Sequence, residues 1–201
     1  FERRIMESED FAARWGELGP VYGKQWRSWR DADGVHHDQI ATVIETLKTN
    51  PQSRRILFHA WNVGEIAEMA LPPCHMTYQF HVAWRHDESG HERPFLSMMV
   101  HQRSCDLFLG APFNICQQAA LLAMVAQQVN MERGELFWVG GDTHLYLNHL
   151  EQAREQLSRE PLPFPKLQLR RKPADIDGYQ IDDFEVSEYH SHERIDAPVA
   201  V

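Results

Sequence analysis

Apolar residues recur at helical spacing after Asp38: Ile40, Val43, Ile44 and Leu47 fall on one face, and Asn50-Pro51 stops the run. The pattern predicts a helix there. A second helix is predicted from Phe113 to Asn130, apolar on most faces and therefore buried, and a third, amphipathic one from Leu147 to Arg159. Ser8-Glu9-Asp10 reads as the start of a short helix carrying Phe11, Arg14 and Trp15 before the break from Gly16 to Pro20. Strands are predicted at Arg55–Trp61, Met76–Trp84 and Phe95–Val100, the last two joined by a charged loop from Arg85 to Pro94. Glu135–Tyr146 reads as a strand interrupted at Gly140-Gly141. Beyond Pro161 come two strand-like pieces, Lys166–Arg171 and Tyr179–Val186, and an extended end, Ala197-Pro198-Val199-Ala200-Val201. Strands and helices mix without regular βαβ alternation, which predicts an α+β fold. The chain contains no internal repeat and no low-complexity segment.

With 201 residues, 43% hydrophobic and 24% charged, the chain has the make-up of an ordinary globular protein with one substantial core or two small domains. The net charge of −9 argues against general nucleic-acid binding, which relies on a basic surface. It leaves room for a small anion, because a few arginines in a cleft dominate locally. Three cysteines, Cys74, Cys105 and Cys116, make neither a disulfide framework nor a paired zinc pattern, and the expected setting is reducing and cytoplasmic. The longest apolar run, Ala119–Ala126, is too short to span a bilayer, so no membrane partner is expected. Phe1-Glu2-Arg3-Arg4 has no signal-peptide core, and there is no initiator methionine, so the chain is expected to begin partway through a longer protein.

Chemistry is concentrated in a few segments. Leu71-Pro72-Pro73-Cys74-His75 presents a thiol behind two prolines at the mouth of a strand. A free cysteine is usually a small buried hydrophobe, but this one is placed to act as a nucleophile if a cation lowers its pKa. Cys105 and Cys116 lack such a context and read as structural. Arg54-Arg55 and Arg103-Ser104 offer guanidinium forks and a hydroxyl, the groups that bind phosphate in two-pronged fashion. Neighbours on a strand face opposite ways, so Arg54 and Arg55 can serve one phosphate only from a loop-like backbone. His144 and Tyr146, two apart, would share a strand face and could grip a hydroxyl; a core histidine beside an aromatic is the plainer reading. The twelve histidines, His36-His37 and His190-Ser191-His192 among them, lack metal-ligand spacing and read as solvated or loop residues, so no metal is expected.

Taken in order, Gly19 to Arg27, Ser53-Arg54-Arg55, Ala60-Trp61-Asn62, Leu71 to His75, Gln102 to Asp106, Leu109 to Ile115, Gly141 to His149 and the closing Ala197 to Val201 resemble the thymidylate synthase family. The resemblance covers about Ser8 to the last residue. It divides the chain into residues 1–18, the end of an upstream small-domain insertion carried by some bacterial members, and a catalytic core at 19–201. It implies a large twisted mixed sheet wrapped by helices, and a homodimer packed through the sheet face. It also implies an enzyme that methylates dUMP reductively to dTMP with 5,10-methylenetetrahydrofolate as co-substrate. By the same resemblance, Cys74 attacks C6 of the uracil ring. Arg103 serves the thiolate and the phosphate, with Ser104 and, from the second subunit, Arg54 and Arg55. Asn114 reads the pyrimidine edge, since an amide both donates and accepts as uracil requires, whereas aspartate would suit cytosine. His144 and Tyr146 hold the 3′-hydroxyl, Tyr22 and His75 join the polar network at the ring, Asp106 and Gly110 meet the folate, and the Val201 carboxylate closes over both ligands.

The sequence also departs from the family pattern. Upstream residues of the family that bind phosphate, polarise the ring and flank the folate do not occur here. Ala111 stands where leucine is common, and Cys116-Gln117-Gln118 replaces a more usual Ala-Ser-Tyr. Two other readings therefore stand beside reductive methylation: a dUMP hydroxymethylase, in which water replaces hydride, and a non-catalytic fragment that dimerises or binds its own message.

Overall fold

The computed structural model describes residues 6–87 and 89–199, without the side chains of Phe11, Arg14 and Trp15, on which the first helix was predicted. The fold is α+β. In chain order it comprises α1 (Glu9–Trp15), α2 (Tyr22–Ser28), β1 (Trp29–Arg30), β2 (His36–His37), α3 (Gln39–Thr49), β3 (Leu57–His59), β4 (His75–His86), β5 (Glu92–Asp106), α4 (Gly110–Gln128), β6 (Glu132–His144), α5 (Leu150–Leu157), β7 (Lys166–Leu169) and β8 (Phe184–Ser187). The central sheet is mixed, in the order β3-β4-β5-β6, with β3 antiparallel to β4 and β5 parallel to β6. The pairs β1-β2 and β7-β8 are antiparallel ribbons. The chain divides into two compact units, residues 1–79 and 80–201, the boundary falling within β4.

In the first unit, α3 buries Ile40, Val43 and Leu47, the stripe its period predicts. Asp38 caps it, accepting from the Ala41 amide at 2.9 Å, and is itself gripped by the Arg27 guanidinium at 3.0 and 3.1 Å. The core continues through Phe58 and Tyr78, stacked at 4.4 Å on paired positions of β3 and β4, with Trp26 edge-on to each at 5.4 Å. The expected strand Arg55–Trp61 shrinks to Leu57–His59, because Arg54 and Arg55 lie in a turn. The helix α2 was not predicted. It has a glycine at its second position, no side-chain cap, and Gln25 as its only buried residue among those described, so it leaves no apolar period. Besides the Trp26 ring in the core, polar tertiary contacts hold it. Gln25 donates to the Pro20 carbonyl (2.7 Å) and Glu65 (2.6 Å) and accepts from Asn62 (3.1 Å), while Gln39 donates to the Gln25 carbonyl (2.8 Å). Gly19 turns the chain into this helix at φ 75°, where any side chain would lie 2.1 Å from the Glu68 carbonyl oxygen.

In the second unit, β5, α4 and β6 form a crossover, which is how two parallel neighbours must be joined. Leu122, Ala123, Val125 and Ala126 of α4 are buried, as are Leu96, Met98 and Val100 of β5. The predicted strand Phe95–Val100 extends to Glu92–Asp106, and the loop before it contracts. Asp87 organises that loop, accepting from Ser89 and His91 and from Arg93 at 3.2 Å. These bonds, the Ser89 hydroxyl first, hold its carboxyl down at about 2. The stability Asp87 lends is therefore present above the ordinary carboxylate range and is lost as pH falls through about 2. The strand β6 does not break at Gly140-Gly141. A side chain at Gly141 would sit 2.8 Å from the Arg103 carbonyl oxygen, so glycine there allows the two strands to close up. Near the C-terminus, a short turn at Leu147–His149 precedes α5, and the strand expected at Tyr179–Val186 is confined to Phe184–Ser187. Cys105 is buried as expected, whereas Cys116, read as structural, is exposed on α4.

Candidate active site

Cys74 directly precedes β4 and is partly exposed, so the thiol is not sealed in the interior. Two prolines fix the chain before it. Its own amide donates to the Tyr22 hydroxyl at 2.8 Å, a link between residues 52 apart. Tyr22 is the first residue of α2, and its ring lies 5.5 Å from that of the buried His75. Burial pushes the Tyr22 phenol above its ordinary range; the charge on Cys74 adds to this, and amide hydrogen bonds from Cys74 and His75 oppose it. The phenol therefore stays protonated at neutral pH, able to accept from the Cys74 amide and still donate a proton of its own. Arg54 and Arg55 are exposed in a turn, the non-strand backbone that a shared anion would require.

The Gln25, Asn62 and Glu65 cluster one turn along α2 from Tyr22 was missed in the sequence. It fixes the helix that carries Tyr22, and through it the phenol under Cys74. The sequence signals were the segments Gly19 to Arg27 and Ala60-Trp61-Asn62, in which neither Gln25 nor Asn62 carried a role of its own.

In the second unit, β5 carries Arg103 and Ser104, both half-buried, and ends at Asp106. Ser104 pairs with Asp142 and Asp106 with His144 on β6. One oxygen of Asp106 accepts from the Phe108 amide (3.0 Å) and, more weakly, from Leu109 (3.4 Å), which fixes the carboxylate at the entrance to α4. Gly110 opens the helix. A Cβ there would lie 3.5 Å from Asp106 Cβ and 3.6 Å from Asn114 Oδ1, so its absence leaves a cradle between an acid and an amide. Phe113 stands 77% exposed on the same helix turn.

Asn114 is held from behind. Gln102, 2% exposed, donates from Nε2 to Asn114 Oδ1 (2.9 Å) and to the Ser104 carbonyl (3.0 Å), and accepts from Trp138 Nε1 (2.8 Å). With its oxygen identified by this donor, Asn114 presents its NH2 group away from Gln102. In the sequence Gln102 is only the first residue of the segment Gln102 to Asp106. Its partner on β6 lies 36 residues away, beyond the reach of local pattern. His144 and Tyr146 come together as expected, rings 4.9 Å apart and nearly perpendicular. The strand β6 itself ends at His144; Tyr146, still extended in backbone, immediately precedes the turn at Leu147–His149. Val201 lies outside the described residues, and among those described no cluster of three or more His, Cys, Asp or Glu could hold a metal ion.

Gln118, one turn beyond Asn114, is 2% exposed on the face of α4 that buries Leu122 and Val125. Neither Oε1 nor Nε2 has a partner among the described residues. A buried, unsatisfied amide costs about 1–3 kcal/mol. Gln118→Met, close in volume and without either polar atom, is expected to raise the melting temperature by about 2–12 °C. Scanning calorimetry checks this, and a lower melting temperature would show that the amide is satisfied.

The family model described as thymidylate synthase matches residues 3–201. Relatives named thymidylate synthase are 77% identical in Sinorhizobium fredii, 69% in Rhizobium rhizogenes and 53% in Zymomonas mobilis, each over the whole of this chain. The chain spans 65–66% of the length of these curated relatives.

Proposed function

Because the chain belongs to the thymidylate synthase family, we propose that it catalyses the reductive methylation of dUMP to dTMP. The observation that carries this reading is the presentation of Cys74: partly exposed, fixed by two prolines behind it, and tied through its amide to a half-buried phenol. The sulfur adds to C6 of the pyrimidine, electrons move toward O4, and C5 becomes the carbon nucleophile. Arg103 is the cation that favours the thiolate, and with Ser104 it takes the phosphate. Arg54 and Arg55 reach that phosphate from a second copy of the chain. Asn114, steadied by Gln102, meets the ring edge, and His144 with Tyr146 takes the 3′-hydroxyl. Tyr22 and His75 hold the ordered water through which the C5 proton leaves.

Methylenetetrahydrofolate supplies the one-carbon unit and the hydride when bound. The cradle at Gly110 suits a flat ring that offers N–H groups to Asp106, with the exposed Phe113 beside it and the Val201 carboxylate closing over it. A homodimer through the sheet face is supported by Met99, Phe137 and Val139, apolar yet 46, 47 and 40% exposed, with Met99 and Phe137 paired in register. A reducing cytoplasm suits three free cysteines. Among the described residues no helix is long and apolar enough to cross a membrane.

Incubation with dUMP tritiated at C5 and with methylenetetrahydrofolate tests the reading. Tritium release accompanied by dTMP and dihydrofolate is expected. A hydroxymethyl product would make the chain a hydroxymethylase, and binding without turnover would make it a non-catalytic fragment.

A further inference from the structure

Residues 193–198 run beside α5 and the turn that leads into it. Three side chains there donate to three tail carbonyls: Arg159 to Glu193 at 2.5 Å, Gln152 to Asp196 at 3.4 Å, and His149 Nε2 to Pro198 at 2.6 Å. Donors descend in number as acceptors ascend, so the tail lies antiparallel to α5. Gln152 bonds the tail from an exposed position, whereas His149 is 0% exposed, its ring 5.5 Å from that of Phe108 and 6.0 Å from that of Tyr146.

A carbonyl oxygen only accepts, so Nε2 of His149 carries the hydrogen. Its Nδ1 is also buried and has no partner among the described residues. As mere core filler this ring would be a poor choice, because a phenylalanine would fill the space between Phe108 and Tyr146 without an unsatisfied nitrogen. What histidine adds is the bond to Pro198.

We propose that His149 is a positioning residue that pins the C-terminal tail at Pro198 and so sets where the residues beyond it, Val201 included, can reach. The pin stands on the geometry. Its effect on the site rests on the reading above, in which the Val201 carboxylate closes over the folate.

His149→Phe removes the donor and keeps an aromatic ring; His149→Gln restores a donor at similar reach. The tail contains a tryptic bond, Arg194–Ile195, between two of the held carbonyls. Under mild trypsin, loss of residues 195–201 followed by intact mass is expected about fivefold faster in the folded phenylalanine variant, the worth of one neutral hydrogen bond, and near the parent rate in the glutamine variant. If His149→Phe does not fold, as judged by thermal melting, His149→Asn, whose shorter amide withdraws the donor, takes its place. An unchanged cleavage rate in the folded variant overturns the pin.

In parallel, the complex of each chain with 5-fluoro-dUMP and methylenetetrahydrofolate is followed as it dissociates. About fivefold faster loss in His149→Phe is expected, and deletion of Val201 should erase that difference, because both changes act through the tail. A freed tail with unchanged dissociation overturns the positioning role. Failure of the parent chain to form the complex at all would instead overturn the reading of the site, and trypsin still decides the pin.

Discussion

Cys74→Ser abolishes covalent capture of 5-fluoro-dUMP in the presence of methylenetetrahydrofolate, and turnover of dUMP falls by about 10⁴-fold or more, the scale on which loss of a catalytic nucleophile acts. The fluorinated nucleotide accepts sulfur at C6 and the one-carbon unit at C5, but fluorine cannot leave as a proton does. The adduct therefore persists and adds its mass to the chain. A cysteine titrates near about 8.5 when unperturbed and is brought to the thiolate by a neighbouring cation, whereas a serine hydroxyl stays protonated and is a far weaker nucleophile. The group tied to Cys74, the Tyr22 phenol, is held protonated by burial and so offers a serine hydroxyl no base. The substitution is nearly isosteric at a partly exposed position, so the fold is retained and the melting curve confirms it. Cys116→Ser provides the control, because Cys116 is exposed and would be the first thiol to react non-specifically. Intact mass spectrometry reads both variants. An adduct that survives Cys74→Ser and vanishes with Cys116→Ser would remove Cys74 from the chemistry.

Features whose cause and effect are local were legible in the sequence. The helix α3 was legible because Ile40, Val43 and Leu47 repeat at helical spacing and face one core. Cys74 stood out because the prolines that present it are its immediate neighbours. The helix α2 was hidden because its contacts are remote: Trp26 finds Phe58 and Tyr78, and Gln25 finds Asn62 and Glu65 37 and 40 residues on. The same holds for the tie from Tyr22 to Cys74: the resemblance put Tyr22 in the polar network at the ring, and no periodicity could have predicted this bond. Gly140-Gly141 misled for a related reason. Glycine in a strand signals either a break or a close approach, and only the position of the Arg103 carbonyl on the neighbouring strand distinguishes them. Gln102 was the costliest omission, since its buried amide sets the orientation of Asn114 and its contacts, to Asn114, Ser104 and Trp138, are made across elements.

That orientation makes Asn114→Asp the second large test. Gln102 Nε2 donates to Asn114 Oδ1 at 2.9 Å, so the oxygen of the amide is fixed and its NH2 group points elsewhere. A carbonyl oxygen has two lone pairs, so Oδ1 can accept from Gln102 and from a ring N–H together, while NH2 donates to the adjoining ring carbonyl. Uracil offers that pair at N3 and O4. Aspartate keeps the bond from Gln102, and hence its place on α4, but has no donor at neutral pH. It would set a carboxylate against O4 of uracil, whereas the amino group of cytosine, at the same ring position, would donate to it. Sites built around a buried hydrogen bond reject a ligand lacking the partner by about 10⁴-fold, and some of that is recovered here because the ring can shift. The ratio of kcat/KM for dUMP to that for dCMP is therefore expected to fall by about 10³-fold, with most of the change in kcat/KM for dUMP. Steady-state assays on both nucleotides measure it. A ratio unmoved by the substitution, in a variant that melts like the parent, would mean that Asn114 does not read the ring and that the amide is held by Gln102 for packing alone.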